Sequence, residues 1–253
     1  MSDEEILSGG NMEPVVRLGD TVRRVAGPWT PAVHDLLVAC ARAGIASVPR
    51  PLGRDDQGRE ILSYVDGRMM SGLPPGEMWR PELLTSAAIL LRRIHDASMP
   101  LVASRRPWRQ PAREPAEVIC HNDFAPYNLV VSNDGSVGAI DFDMASPGSR
   151  VWDVAYLAYR LAPFAEDAPG YDVARDGSRE ARVAALVAAY GGSWAHDDIR
   201  AEAACRLDAL AAFTDDRAES TGRADFVSHA AMYRRDAARL RRPRSQDPFT
   251  EGA

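Results

Sequence analysis

The dipeptide Asp134-Gly135 lies between two apolar runs, Leu129-Val130-Val131 and Val137-Gly138-Ala139-Ile140. Asp-Gly enters the positive-φ conformations of a tight turn readily, so this pattern marks a β-hairpin. A two-residue turn centred there pairs Asn133 with Ser136, Leu129 with Ile140, and Asn128 with Asp141. Cross-strand neighbours lie roughly 4.5–5.5 Å apart at Cβ. An amide and a carboxylate are thereby expected at one end of the ribbon. The apolar strand Val118-Ile119-Cys120 runs straight into His121-Asn122-Asp123, which sets Asp123 on the loop beside them.

Upstream, the chain reads as short strands around one helix. Val15-Val16-Arg17 and Thr21–Val25 flank a turn at Gly19-Asp20, and a second hairpin turns at Gln57-Gly58 and returns through Ile61–Val65. Between them, Thr30-Pro31 has the form of an N-cap followed by a first-turn proline, and Val33, Leu36, Leu37 and Cys40 follow at helical spacing. A second helix is predicted from Pro81 to Ala97, and from about Val151 the pattern is helical almost throughout. Strands first and helices later predict an α+β chain of two unequal lobes, divided as 1–65 and 66–253.

Composition narrows the function classes. A net charge of −6 disfavours a nucleic-acid partner, which needs a basic face. No apolar run approaches the roughly 20 residues of a membrane helix. The opening Met1-Ser2-Asp3-Glu4-Glu5 lacks the order of a secretion signal, and Cys40, Cys120 and Cys205 are odd in number and far apart. These features set the expectation of a cytoplasmic protein. All 30 basic side chains are arginine. Lysine nucleophiles, Schiff bases and the Walker phosphate loop are therefore excluded, and any cation that grips phosphate is an arginine.

Oxygen ligands from Asn128 and Asp141 suit Mg2+, which takes one or two carboxylates together with substrate phosphates. Asp123 is left to orient a hydroxyl nucleophile and accept its proton. The pattern His121-x-Asp123-x-x-x-x-Asn128, followed by Ile140-Asp141-Phe142, resembles the active site of the aminoglycoside phosphotransferase and choline kinase families, small-molecule relatives of the protein kinases. Asp153, the Leu91-x-x-Ile94-His95 helix end and the Gly9-Gly10-Asn11 turn fit the same resemblance, which runs from about residue 4 to 160.

The resemblance implies a two-lobed protein-kinase-like fold, with a small antiparallel-sheet nucleotide lobe and a larger, mostly helical catalytic and acceptor lobe. It implies ATP as co-substrate (GTP being the alternative), Mg2+, and a small-molecule hydroxyl acceptor, in a monomer or homodimer. Gly9 and Gly10 would cover the nucleotide, and Ser63 and Val65 would lie at the strand that leads to the adenine. The strand lysine of such kinases is missing; Arg23 is the first candidate for its place and Arg24 the second. The helix Thr30–Ala43 also lacks the partner glutamate of that lysine, with only His34 and Asp35 near the expected position. Residues 161–225 carry 13 acidic and 7 basic side chains, which would draw a cationic amino-sugar or amino-alcohol or else form solvated helix faces. Two other function classes compete: a catalytically silent nucleotide- or ligand-binding protein, and a metal-dependent phosphohydrolase using His121, Asp123 and Asp141.

Overall fold

The computed structural model describes residues 5–7 and 15–247. The turn with Gly9 and Gly10 lies outside the described residues. The described residues form two compact units, one within the spans 1–72 and 90–150, the other within 73–89 and 151–253.

The first unit carries a five-stranded antiparallel sheet of β1 (Glu5–Leu7), β2 (Val15–Leu18), β3 (Thr21–Arg24), β4 (Pro51–Arg54) and β5 (Glu60–Ser63), in the order β1-β2-β3-β5-β4. Asp55 caps the β4–β5 turn by accepting from the N–H groups of Gln57 and Arg59. Pairing of β3 with β5 places Arg24 opposite Glu60 and Arg23 opposite Ile61. Since side chains alternate along a strand, Arg24 shares its face with Val22 and the buried pair Glu60 and Leu62, whereas Arg23 falls on the other face.

Helix α1 (Thr30–Arg42) follows β3 and buries Val33, Leu36, Leu37 and Cys40, the predicted stripe. Thr30 does not cap it; its hydroxyl accepts from the Gly27 N–H in the preceding turn. Burial pushes the Cys40 thiol up to about 12, so it is a packing group with no thiolate chemistry.

Below this sheet in sequence come β6 (Arg68–Met69), the short α2 (Pro75–Met78), and α3 (Pro81–Ser98), whose second half belongs to the first unit. Two small sheets then frame the informative loop. In one, β7 (Val118–Cys120) pairs with β10 (Ser146–Gly148); in the other, β6, β8 (Leu129–Val131) and β9 (Val137–Ala139) lie side by side. The β8–β9 hairpin docks where the Ala139 N–H donates to Ser47 O at 2.9 Å. Any Cβ on Gly138 would lie 2.7 Å from that same carbonyl oxygen, so only glycine allows this approach.

The β8–β9 register differs by one residue from the expected one. Leu129 pairs with Ala139, not Ile140, and the Ile140 N–H donates to Asn128 O at 3.0 Å. The turn holds three residues, because Gly135 sits at φ 82° and the Asp134 carboxylate accepts from Ser132 Oγ and Ser136 N. A left-handed third residue is the usual way to close a three-residue hairpin.

The second unit is helical. It contains α4 (Arg150–Leu161, from Val151 onward), α5 (Val173–Asp176), α6 (Arg179–Tyr190), α7 (His196–Thr221) and α8 (Ala224–Leu240). Ser178 caps α6, and left-handed glycines end α6 and α7. Helices α7 and α8 pack on each other, and α4 is buried on nearly every face.

Candidate active site

The geometry of the 121–128 loop is built by two side chains that bind backbone, Asn122 and His121. Asn122 adopts φ 63° and donates through Nδ2 to Met144 O and Ser146 Oγ, both at 2.8 Å. His121 Nε2 lies 3.0 Å from Ile140 O, and its Nδ1 accepts from Asp123 N at 3.3 Å. A carbonyl can only accept, so the Nε2–H tautomer is the one held here. The imidazole thereby ties the Asp123 loop to the strand end that carries Asp141. Phe124 and Phe142 pack against it, with ring centroids 5.4 and 4.6 Å away.

Asp123 and Asn128 meet directly. Asn128 Nδ2 donates to Asp123 Oδ2 at 2.9 Å and to Asp123 O at 3.0 Å. With the amide nitrogen so engaged, its oxygen is the end that can meet a cation. The other carboxylate oxygen of Asp123 accepts from Tyr127 Oη at 2.5 Å. Tyr127 is thus a site residue that the spacing alone did not single out.

Asp141 follows at φ 59°, a conformation that aims its carboxylate back toward β3. Arg24 Nη1 donates to it at 3.0 Å, and Arg24 Nη2 to Asp143 at 2.7 Å, while Arg24 Nε binds Glu60 at 2.6 Å. Burial alone would lower the Arg24 pKa, but Asp143, Glu60 and Asp141 outweigh it and hold the guanidinium firmly charged. Burial also raises the Asp143 pKa; Arg24 opposes that shift, while Asp141 and Glu60 add to it. Arg109 reaches Asp143 at 3.4 Å and lies over the Trp29 ring, 4.4 Å from its centroid.

The two arginines named from the sequence therefore part company. Arg24 is the one beside Asp141; Arg23 Nη1 donates to its strand neighbour Thr21 Oγ1 at 2.5 Å. Glu60, Asp143 and Arg109 join the site without having been singled out. Of the helix groups, His34 binds Glu60 at 2.7 Å, and Asp35 pairs instead with Arg106. Ser63 closes β5, its hydroxyl accepting from Arg50 N at 2.9 Å, and Val65 lies beside Gly138. His95, Cys120 and Asp153 are all buried.

In this cluster three carboxylates (Glu60, Asp141, Asp143) face two guanidiniums, and half of the Asp141 side chain is exposed at 48%. An all-oxygen donor set with surplus negative charge and one accessible carboxylate fits Mg2+. In the second unit, by contrast, much of the acidic excess is matched: Asp215 with Arg234, Asp225 with Arg223, Asp208 with Arg241 and Glu166 with Arg235. Those pairs favour solvated helix faces over an acidic acceptor lining.

Residues 102–204 match the family described as "Phosphotransferase enzyme family". The trifolitoxin immunity protein of Rhizobium leguminosarum bv. trifolii is 34% identical over 178 residues, 66% of this chain and 65% of that relative, just under two thirds of its length. Among solved structures, the choline/ethanolamine kinase family protein of Mesorhizobium loti aligns with a TM-score of 0.61 at 18% identity, covering 99% of this chain and 90% of the other. The amicoumacin kinase hAmiN, solved with AMP-PNP, Ca2+ and Ami, aligns at 0.68 and 14% identity with the same coverage of 99% and 90%. No helix among the described residues is long and apolar enough to cross a membrane. Residues 102–204 thus match the phosphotransferase enzyme family, and the chain has the protein-kinase-like fold seen in solved choline, ethanolamine and amicoumacin kinases.

Proposed function

We propose that this protein transfers the γ-phosphate of ATP to a hydroxyl of a small molecule. The observation that carries the reading is two adjacent pairs in one unit: Asn128 donates to Asp123 at 2.9 and 3.0 Å, Arg24 donates to Asp141 at 3.0 Å, and the Ile140 N–H, next to Asp141 in the chain, donates to Asn128 O at 3.0 Å. Asp141 and Asn128 are the residues that would hold Mg2+, which when bound neutralises phosphate charge and fixes the orientation of the γ-phosphoryl group. Asp123, held at both oxygens, orients the acceptor alcohol and takes its proton. Arg24, the arginine on the inward face of β3, grips nucleotide phosphates in place of lysine. His121 contributes alignment: its two ring nitrogens fix the loop against the Asp141 strand. Phosphoryl transfer asks little more of a protein than such positioning and charge stabilisation.

One relative is named as an immunity protein against trifolitoxin, and solved structures of the same fold are named as kinases of amicoumacin, choline or ethanolamine. Toxin-like and antibiotic hydroxyls therefore head the acceptor list, with amino-alcohols next. A coupled ADP-release screen with Mg-ATP over trifolitoxin, amicoumacin, aminoglycosides, choline and ethanolamine tests this. Acceptor-dependent release that vanishes in Asp123→Ala supports the reading. Release that is independent of every acceptor and unchanged in that variant would overturn it. Mg-ATP binding without turnover on any acceptor would favour a silent binding protein instead.

A further inference from the structure

Protein-kinase-like strands pair their phosphate-gripping cation with a glutamate on the neighbouring helix. Here α1 holds no acidic residue except Asp35, and Asp35 pairs with Arg106. Yet Arg24 does have a buried counter-ion, and it comes from the sheet. Glu60, 1% exposed, sits directly across from Arg24 in the β3–β5 register and accepts from Arg24 Nε at 2.6 Å. Its second oxygen meets His34 Nε2 of α1 at 2.7 Å. A carboxylate this deeply buried is tolerated only when partners satisfy both oxygens, and these are the two partners.

We infer that Glu60 and His34 together do the work of the absent helix glutamate, so that the link from nucleotide cation to helix runs Arg24–Glu60–His34. The acid has moved from helix to strand, and the helix supplies an imidazole that reaches back to it. The inference deepens the reading above, since it rests on Arg24 binding nucleotide phosphates.

The change of cation explains the change of partner. A lysine ammonium is a point charge that one helix carboxylate can steer. A guanidinium is a planar fork, and its orientation must be fixed as well as its position. Glu60 holds the Nε edge, which directs the two Nη ends toward Asp141 and Asp143. His34 keeps the Glu60 carboxylate from rotating, and so couples the placement of α1 to the aim of the fork. Both are positioning residues that act through Arg24.

The test uses the full chain and two probes, Mg-ADP and adenosine, with binding read by calorimetry and folding by thermal melts. Glu60→Gln and His34→Leu should each weaken Mg-ADP binding by about tenfold. His34→Gln, which restores an N–H donor toward Glu60, should recover most of the loss. Adenosine lacks the phosphates that Arg24 would hold, so its affinity should not move in any of the three. Equal Mg-ADP affinity in wild type and His34→Leu, or a parallel fall in adenosine affinity, would overturn the inference while leaving the phosphotransferase reading in place. Because His34 is partly exposed, its variants serve even if Glu60→Gln does not fold. A wild-type chain that binds no Mg-ADP would bring down both.

Discussion

Two charge clusters, one in each unit, use the same chemistry to opposite ends. In the helical unit Arg200 and Arg239 face Asp236 and Asp247, two charges against two, and every member is 10% exposed or less. Their remaining valences are filled as well. Asp236 accepts from Tyr159 Oη at 2.8 Å and Glu166 N at 3.0 Å, Arg200 reaches Leu240 O, and Arg239 reaches Phe164 O. Burial, reinforced by Asp236, drives the Tyr159 pKa far up, so the phenol stays a donor. That network is balanced and closed; it fixes the chain beyond α8. The Arg24 cluster is unbalanced and open, with a carboxylate surplus and Asp141 half in solvent. A closed network of ion pairs staples, whereas an open one with surplus charge awaits a counter-ion.

The largest expected effects sharpen this contrast. Asp141→Asn should lower phosphate transfer by about 10²–10⁴-fold, the several kcal/mol of charge stabilisation that a held cation would supply, without lowering the melting temperature, because it removes one of three crowded negative charges. Steady-state ADP release and a thermal melt on the same sample check both halves. Chelation with EDTA should abolish transfer in wild type, and Mg2+ at millimolar levels should raise the melting temperature of wild type but not of Asp141→Asn.

In the closed cluster, Asp247→Ala strands two buried guanidiniums and should cost about 3–5 kcal/mol in urea unfolding while Mg-ADP affinity is retained. The contrast would break if Asp141→Asn unfolded the chain and Asp247→Ala left unfolding untouched. Between these sits Gly138→Ala, whose Cβ meets Ser47 O and should cost about 1–3 kcal/mol, measured the same way.

Smaller still is a pH effect next to the closed cluster. Burial, together with the nearby Arg200, lowers the His196 pKa below its ordinary 6.5, against the opposing pull of Asp197. The unfolded chain then binds the extra proton first, so stability is full above pH 6.5 and declines as pH falls through the depressed value. Urea midpoints at falling pH should show the decline, and His196→Gln should flatten it. The smallest expected change is local. Hydrogen bonds from Ser132 and Ser136 hold Asp134 down at about 2, so the turn keeps its cap above the ordinary carboxylate value of 3.8 and loses it as pH falls toward 2. Faster amide exchange at Ser136 in that window would report it.

Local chemistry was legible in the chain, and long-range pairing was not. The α1 stripe, the Gly19-Asp20 and Gln57-Gly58 turns, and the Asp123–Asn128 spacing all follow from residues within a few positions of one another. The hairpin register slipped by one because Asp-Gly supports both two- and three-residue loops, and the choice depends on Ser132 and Ser136 binding the Asp134 carboxylate. Arg23 and Arg24 are adjacent on one strand and so point to opposite faces of the sheet. Which face of β3 turns inward is fixed by β5, and α1 and β4 intervene between those strands. Glu60 was hidden for the same reason: no spacing rule links residues 36 positions apart across a helix. A signal did exist, in a glutamate heading an otherwise apolar strand (Glu60-Ile61-Leu62) in a chain whose β3 ends in two arginines.

Asp141 stands on a left-handed backbone at φ 59°. Apart from glycine, aspartate and asparagine are the residues that enter that region most readily, and β-branched or bulky ones are strained there. Loss of the carboxylate at low conformational cost is thus open mainly to Asn or Gly. A descendant that had lost this carboxylate but kept the shape of the loop would be recognised by one of those two at position 141, a fingerprint written by torsion angles before any assay is run.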